Sequence, residues 1–425
     1  MIFQYNEDLL QFIWQYQLYN PKGLKTEKGE NITVIKQGQI NFNSGPDFEN
    51  AQIKIDKSIH FGSVEIHIDS KDWHTHKHQT DSAYDNVILH VCFSNSKMVS
   101  RKDGTSLPTL VLKDRINLDS LEKYNRLMTK KTFIPCENQL SSLSNFTINN
   151  WIDRMVVERL EDRCMLFQSY LETAKGNWNQ AFYTAIIRSF GMPINSDFFE
   201  ELALKLPYQL VQKHHLSLFQ LEALFFGVAN LLKEPDGDSY YQGLHNEYVF
   251  LSKKYGLKKV NHQLKFGRMR PMNLPHVKIA QIAALFHHVP QITNKVLSLP
   301  EVHEIKSLLA FDLSDYWKTH YSFHKISKER SKHISKKFVN HLFLNAFIPF
   351  VFFYEKTKLV GDTTKALDYL GSLSSESNSI IDKWKLTGIS VNNALTSQAL
   401  LHLYKTYCNS QRCLQCNIGK ELLLQ

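Results

Sequence analysis

The residue types needed for metal-assisted hydrolysis fall within one short region of the chain. Pro46-Asp47-Phe48 forms a turn before a run of alternating apolar residues, and Glu65-Ile66-His67 lies on the next such run, GSVEIHI. Strand alternation puts Glu65 and His67 on one face, and pairing of the two strands would bring Asp47 to them. Two carboxylates converging with an imidazole at a sheet edge suit the binding of Mg²⁺ and the activation of water against a phosphodiester. In that reading Asp47 and Glu65 are the metal ligands. His67 and His74 orient or deprotonate the water and protonate the leaving oxygen. The stretch DWHTHKH that follows carries Trp73 and then His74, His76 and His78 at alternate positions. His74, beside Trp73, is the expected acid or base; His76 and His78 read as solvated loop residues, and His90, inside NVILHV, as a hydrogen-bonded core histidine.

A second constellation lies in the tail, CNSQRCLQCNIGKELLLQ. Cys408, Cys413 and Cys416 give a C-x4-C-x2-C spacing in which the last pair can chelate one tetrahedral ion and Cys408 can add a third thiolate. Cys136, in FIPCENQL, is the expected fourth ligand, while Cys92 and Cys164 read as small buried hydrophobes. Structural zinc, an iron–sulfur cluster and uncoordinated thiols remain alternatives. A third group is basic: Lys265, Arg268, Arg270 and Lys278 crowd the loop KFGRMRPMNLP and the helix it enters. Their charge, with the helix dipole, would suit phosphate; local ion pairing is the competing role. KISKERSKHISKK at 325–337 reads as a solvated basic helix face.

The elements that must position these groups change character along the chain. After an opening helix with Leu9, Phe12, Ile13 and Tyr16 at helical spacing, ITVIKQGQINF, AQIKID, SVEIHI, NVILHVCF and LPTLVL alternate with period two. They predict a sheet of roughly five strands, followed by a helix over 117–128. From about residue 145 the period is that of helices, as in HVKIAQIAALFHHV. The expected fold is α+β: a mixed sheet with flanking helices over 1–140 and an all-helical domain with the cysteine cluster over 141–425.

Composition narrows the setting. Hydrophobic residues are 43% and charged residues 21% of 425, which excludes a disordered chain. No run of eighteen apolar residues is present, and FLNAFIPFVFFY at 343–354 reads as a buried helix, so no membrane partner is expected. The acidic N-terminus lacks the pattern of a signal peptide, and six cysteines without one point to a reducing cytoplasm. A formal charge of +9 favours a polyanionic partner such as nucleic acid.

The region around residues 46–67 resembles the PD-(D/E)xK nucleases, with a Pro-Asp followed by an acid on a strand. His67 stands where that pattern has lysine. Pro46-Asp47-Phe48 and Trp73-His74-Thr75-His76 are also similar in kind to the very-short-patch mismatch endonucleases of that superfamily, with longer gaps. One distant cysteine and three near the C-terminus resemble the iron–sulfur staple of some RecB-like nucleases, though there the cysteines bracket the nuclease core. Over nearly its whole length the chain resembles the bacterial family catalogued as domain of unknown function 2851, through Gly45-Pro46-Asp47-Phe48, GSVEIH, DWHTHKH, NVILHV, RMRPMNLP and CLQCNIG. The nuclease resemblances imply a metal-dependent nuclease-like protein acting on DNA or RNA; the likeness to domain of unknown function 2851 implies no activity. A non-catalytic scaffold and a zinc hydrolase using His67, His74 and Glu65 are the other readings.

Overall fold

The computed structural model describes residues 6–129, 132–233, 237–267, 269–358 and 363–425. Two compact units divide the chain: unit 1 comprises Met1–Trp151 with Leu403–Gln425, and unit 2 comprises Ile152–His402. The fold is α+β, as the change of period predicts: strands are confined to the N-terminal part, and helices fill the rest. The tail departs from the expected boundary. Residues 403–425, assigned by sequence to the helical domain, belong with the sheet, because the terminal helix Asn417–Leu424 packs on a helix of unit 1.

Unit 1 opens with helix α1 (Glu7–Gln15), whose Leu9, Leu10, Phe12, Ile13 and Trp14 are buried. Seven strands follow: β1 (Leu24–Lys25), β2 (Asn31–Lys36), β3 (Gln39–Ile40), β4 (Phe48–Ile55), β5 (Ser58–Asp69), β6 (Val87–Ser94) and β7 (Thr109–Val111). Their order is β1-β2-β4-β5-β6-β7, with β3 also on β4. The β4–β5 pair is antiparallel, whereas β5–β6 and β6–β7 are parallel, so β5 is the strand where the sheet changes sense. Its outer half pairs with β4 and is exposed; from Gly62 onward it joins β6, and Ser63–His67 are buried on both faces. Gly62 is required by close approach: a Cβ there would collide with the Asn86 carbonyl, which accepts a hydrogen bond from the Ser63 amide. Helix α2 (Asp72–Thr75) and two single turns connect β5 to β6, and helix α3 (Leu118–Thr129) follows β7.

The long helix α4 (Asn145–Thr173) runs from unit 1 into unit 2, whose described residues form helices joined by irregular segments. One helical run in unit 2, Lys336–Lys358, is long and apolar enough to cross a membrane, yet 78% of its apolar window is buried in the fold. It is the buried helix expected over 343–354. Pro349 sits inside it, just after a π-helical turn over Phe343–Phe347. Widening of that turn accommodates the ring and the missing amide, which would otherwise break the helix. The basic segment 325–337 is not a helix face: it runs as irregular chain until Lys336, and Lys332 is buried with its Nζ donating to the Lys318 carbonyl at 2.8 Å.

Candidate metal centre

β5 supplies the first two groups. Glu65 and His67 share a face, and the parallel register sets His90 of β6 opposite Glu65. His67 Nδ1 lies 2.9 Å from His90 Nε2, a buried imidazole pair. Asp47 enters from the turn before β4, where Phe48 pairs with Val64. The Asp47 amide donates to Glu65 Oε2 at 3.1 Å, and Asp47 Oδ2 accepts from the Ile66 amide at 2.9 Å. Asp47 Oδ1 accepts from Gln11 of α1 at 2.9 Å. The two carboxylates expected together are therefore neighbours, but both Asp47 oxygens are engaged by protein donors. Glu65 Oε1 faces the other way, towards the imidazoles.

The loop after β5 completes the cluster through a single anchor and a single backbone turn. Trp73 is 1% exposed, packs with Val87, Val99 and Leu107, and donates its indole N–H to the Ser100 carbonyl at 3.0 Å. Lys77 then adopts a left-handed conformation, φ 64°, which reverses the chain. His76 Nδ1 thereby comes 3.2 Å from His67 Nε2, and His78 Nε2 comes 3.3 Å from Glu65 Oε1. His67 Nε2 is 3.6 Å from that same oxygen. Tyr84 stacks on His78 with ring centroids 3.9 Å apart, and Trp73 meets both His78 and His90 edge to face. Ligand atoms of His67, His76 and His78 lie within 4.8 Å of one another, and exposure rises from buried His67 to exposed His76. The cluster thus opens to solvent on one side.

Among the described residues no lysine or arginine is in ion-pair contact with Glu65 or Asp47, and the electrostatics of the cluster follow from burial. Burial, with the nearby Asp47 charge, raises the Glu65 carboxyl well above the usual range. Burial also raises Asp47, against the Ile66 hydrogen bond that lowers it. Glu7, at the start of α1, is pushed up to about 7 by burial and by Asp47. The imidazoles move the opposite way: burial and mutual repulsion lower His67 to about 2, His90 to about 3 and His78 to about 4. His78 Nε2 and His90 Nδ1 are buried without a hydrogen-bond partner. Neutral imidazoles and carboxyls that resist ionisation are what burial produces when no cation balances them.

Several expected residues fall elsewhere. His74 is not among the three histidines whose ligand atoms converge: its Nε2 lies 3.1 Å from the Met98 carbonyl. His76 and His78, read from sequence as solvated, instead come within 3.2 Å of His67 and 3.3 Å of Glu65. The alternation of the three histidines held a clue, but strand parity does not apply to a helical turn ended by a left-handed residue. Cys136, Cys408, Cys413 and Cys416 all belong to unit 1, and Asn417–Leu424 packs against α3. Burial and the neighbouring tail thiols raise Cys136, and burial with Cys136 and the other two raises Cys408. Burial raises Cys416 as well, against the nearby Gly419 and Ile418 amides and the Trp151 indole, which lower it. Among the described residues, the cysteine sulfurs do not form a group as tight as the three histidines.

The basic group is also divided. Arg268 lies outside the described residues. Lys265 is exposed, its backbone bonded both ways to the Asn195 amide. Arg270 is exposed, whereas Lys278 is buried.

Fold and site together define an α+β protein with an N-terminal mixed sheet and a histidine–carboxylate cluster on its central strand. The chain belongs to the family described as protein of unknown function DUF2851, whose profile matches residues 7–379. That span includes the whole cluster and ends before the three tail cysteines. No curated protein and no solved structure matches the chain.

Proposed function

We propose that the protein is a metal-dependent hydrolase of nuclease type acting on phosphodiesters of DNA or RNA, with its ion held by His67, His76, His78 and Glu65. The observation that carries this reading is His78 Nε2: buried, without a hydrogen-bond partner, and 3.3 Å from Glu65 Oε1, beside His67 and His76. Three imidazoles with ligand atoms within 4.8 Å of one another, Glu65 Oε1 at 3.3–3.6 Å from two of them, and no cationic side chain in ion-pair contact with them among the described residues suit a divalent ion. An imidazole majority favours zinc, manganese or iron over the magnesium expected from Asp47 and Glu65 alone. Such an ion would supply a water acidic enough to attack near neutral pH. His67 would donate Nδ1–H to His90, which fixes its ring and leaves the Nε2 lone pair for the ion. Asp47 holds Glu65 in place, and Glu7, raised by burial and the Asp47 charge, would be the group to take a proton.

The +9 charge supports the choice of a phosphodiester substrate. Incubation of the full chain with supercoiled plasmid and with single-stranded RNA, in Mn²⁺, Zn²⁺ or Mg²⁺, tests it. Cleavage that EDTA and Glu65→Gln abolish supports the reading. Bound metal without cleavage of either polymer would move the substrate to another ester or amide, which the imidazole-rich donors also suit. An intact chain that binds no metal would leave a scaffold. For the tail, we propose that Cys136, Cys408, Cys413 and Cys416 hold zinc or an iron–sulfur cluster. Supporting it are the C-x4-C-x2-C spacing of the tail and the presence of all four cysteines in unit 1.

A further inference from the structure

Unit 2 contains a cavity of about 1090 Å³, at the upper end of the range for small-molecule sites. Its lining separates by chemistry. Phe190, Met192, Pro193, Phe199 and Met272 form apolar wall, while Arg270, Lys278, Arg330, Lys336 and Lys337 bring five cationic side chains against one carboxylate, Glu376. Glu376 is itself engaged, its Oε2 accepting from Gln398 at 2.6 Å. Four of the cations are exposed; Lys278 is not.

Lys278 is 3% exposed and sits on the helix Pro275–His288, where Val277 and every residue from Ile279 to Phe286 are buried as well. Its Nζ donates to Gln281 Oε1 at 3.3 Å and lies 3.2 Å from the centre of the Phe338 ring. No carboxylate pairs with it among the described residues. Burying an ammonium with only an amide and a ring for company is costly, and a helix this apolar would be better served by methionine or leucine if packing were the only demand. The cost is consistent with burial having pushed Lys278 down to about 7. An anion entering the cavity would supply the missing counter-charge.

The number of cations bears on which anion. A single carboxylate needs one or two, whereas five with one opposing acid match a group of several negative charges. The apolar wall requires that the same ligand carry a flat or greasy part, and Asn273 and Asn340 offer amide edges beside it. We propose that this cavity binds a nucleoside di- or triphosphate, its phosphates set against Lys278 and the basic rim and its base against the Phe190–Met192–Met272 wall. This site lies wholly in unit 2 and does not depend on the metal centre of unit 1.

Calorimetric titration of the full chain with ADP, ATP and pyrophosphate, repeated with Lys278→Met and with Met272→Asp, tests the assignment. One ADP or ATP per chain should bind with a dissociation constant at or below about 100 µM. Lys278→Met should weaken it at least about tenfold, since a charge-assisted contact is lost, while the thermal midpoint stays level or rises. Pyrophosphate should bind at least about tenfold more weakly than ADP, and Met272→Asp should remove most of that difference. No saturable nucleotide binding at about 1 mM, nucleotide affinity unchanged in a folded Lys278→Met chain, or equal affinity for pyrophosphate and ADP would each overturn the proposal.

Discussion

Adding a divalent transition ion to metal-free protein should both stabilise it and release protons, and Glu65→Gln should diminish both effects. Glu65 and His67 are 5% and 1% exposed, so the ion's ligands are assembled only in the folded chain. A ligand that binds only the folded state at a hundred times its dissociation constant stabilises by about 2.7 kcal/mol. For a unit the size of unit 1 this corresponds to a rise of about 5–10 °C in its melting midpoint. The Glu65 carboxyl, held well above its ordinary range by burial and Asp47, carries its proton at neutral pH and must release it to bind a cation. Titration at pH 7 in two buffers of different ionisation enthalpy should therefore show about one proton released per ion. Glutamine keeps the shape of the side chain and can still accept from the Asp47 amide, so the strand should remain intact. Its affinity should fall about a hundredfold, and that proton should no longer appear. Equal midpoint shifts and equal proton release in wild type and Glu65→Gln would refute the assignment of Glu65 as a ligand.

Other outcomes follow from individual groups. Glu222 is fully buried, and burial raises it to about 7 although Tyr240, Ser314 and Trp317 donate to it. Between about pH 4.5 and 7 the folded carboxyl holds a proton that the unfolded chain has released, so this group's contribution to stability falls as pH rises. Chemical denaturation of Glu222→Gln should lack that fall and exceed wild type by about 3 kcal/mol at pH 8; parallel pH profiles would contradict it. Trp73→Ala should cost about 3–5 kcal/mol and, by freeing the loop that carries His76 and His78, weaken metal binding; full affinity in the variant would separate the anchor from the site. Purified protein should contain iron with sulfide, or about one further zinc, that Cys413→Ser removes, and four freely titrating thiols in metal-free wild type would exclude a tail site.

Much of unit 1 is legible because period-two alternation and period-3.6 alternation are different signals. The strands 48–55, 58–69 and 87–94 and the face shared by Glu65 and His67 follow from it. The pairing sense does not: nothing local distinguishes β4, antiparallel to β5, from β6, parallel to it. His76 and His78 escaped because their direction depends on one backbone angle at Lys77, a residue type that rarely adopts it. Lys278 reads from sequence as a phosphate-binding or locally paired cation, yet the residues around it are buried on every side of the helix, which is the mark of a core helix. The basic stretch before Lys336 misled by composition alone, since charge without periodicity does not specify a helix. The tail cysteines could be grouped by spacing, but their place beside the sheet rests on contacts between distant parts of the chain.

The central claim is the position of one ion, and diffraction from crystals grown with zinc or manganese, recorded on both sides of the metal absorption edge, tests it most directly. The account predicts an anomalous peak about 2.0–2.2 Å from His67 Nε2, His76 Nδ1, His78 Nε2 and Glu65 Oε1. A peak bound instead by Asp47 and Glu7 without the histidines, or an ordered cluster with no peak at saturating metal, would contradict it.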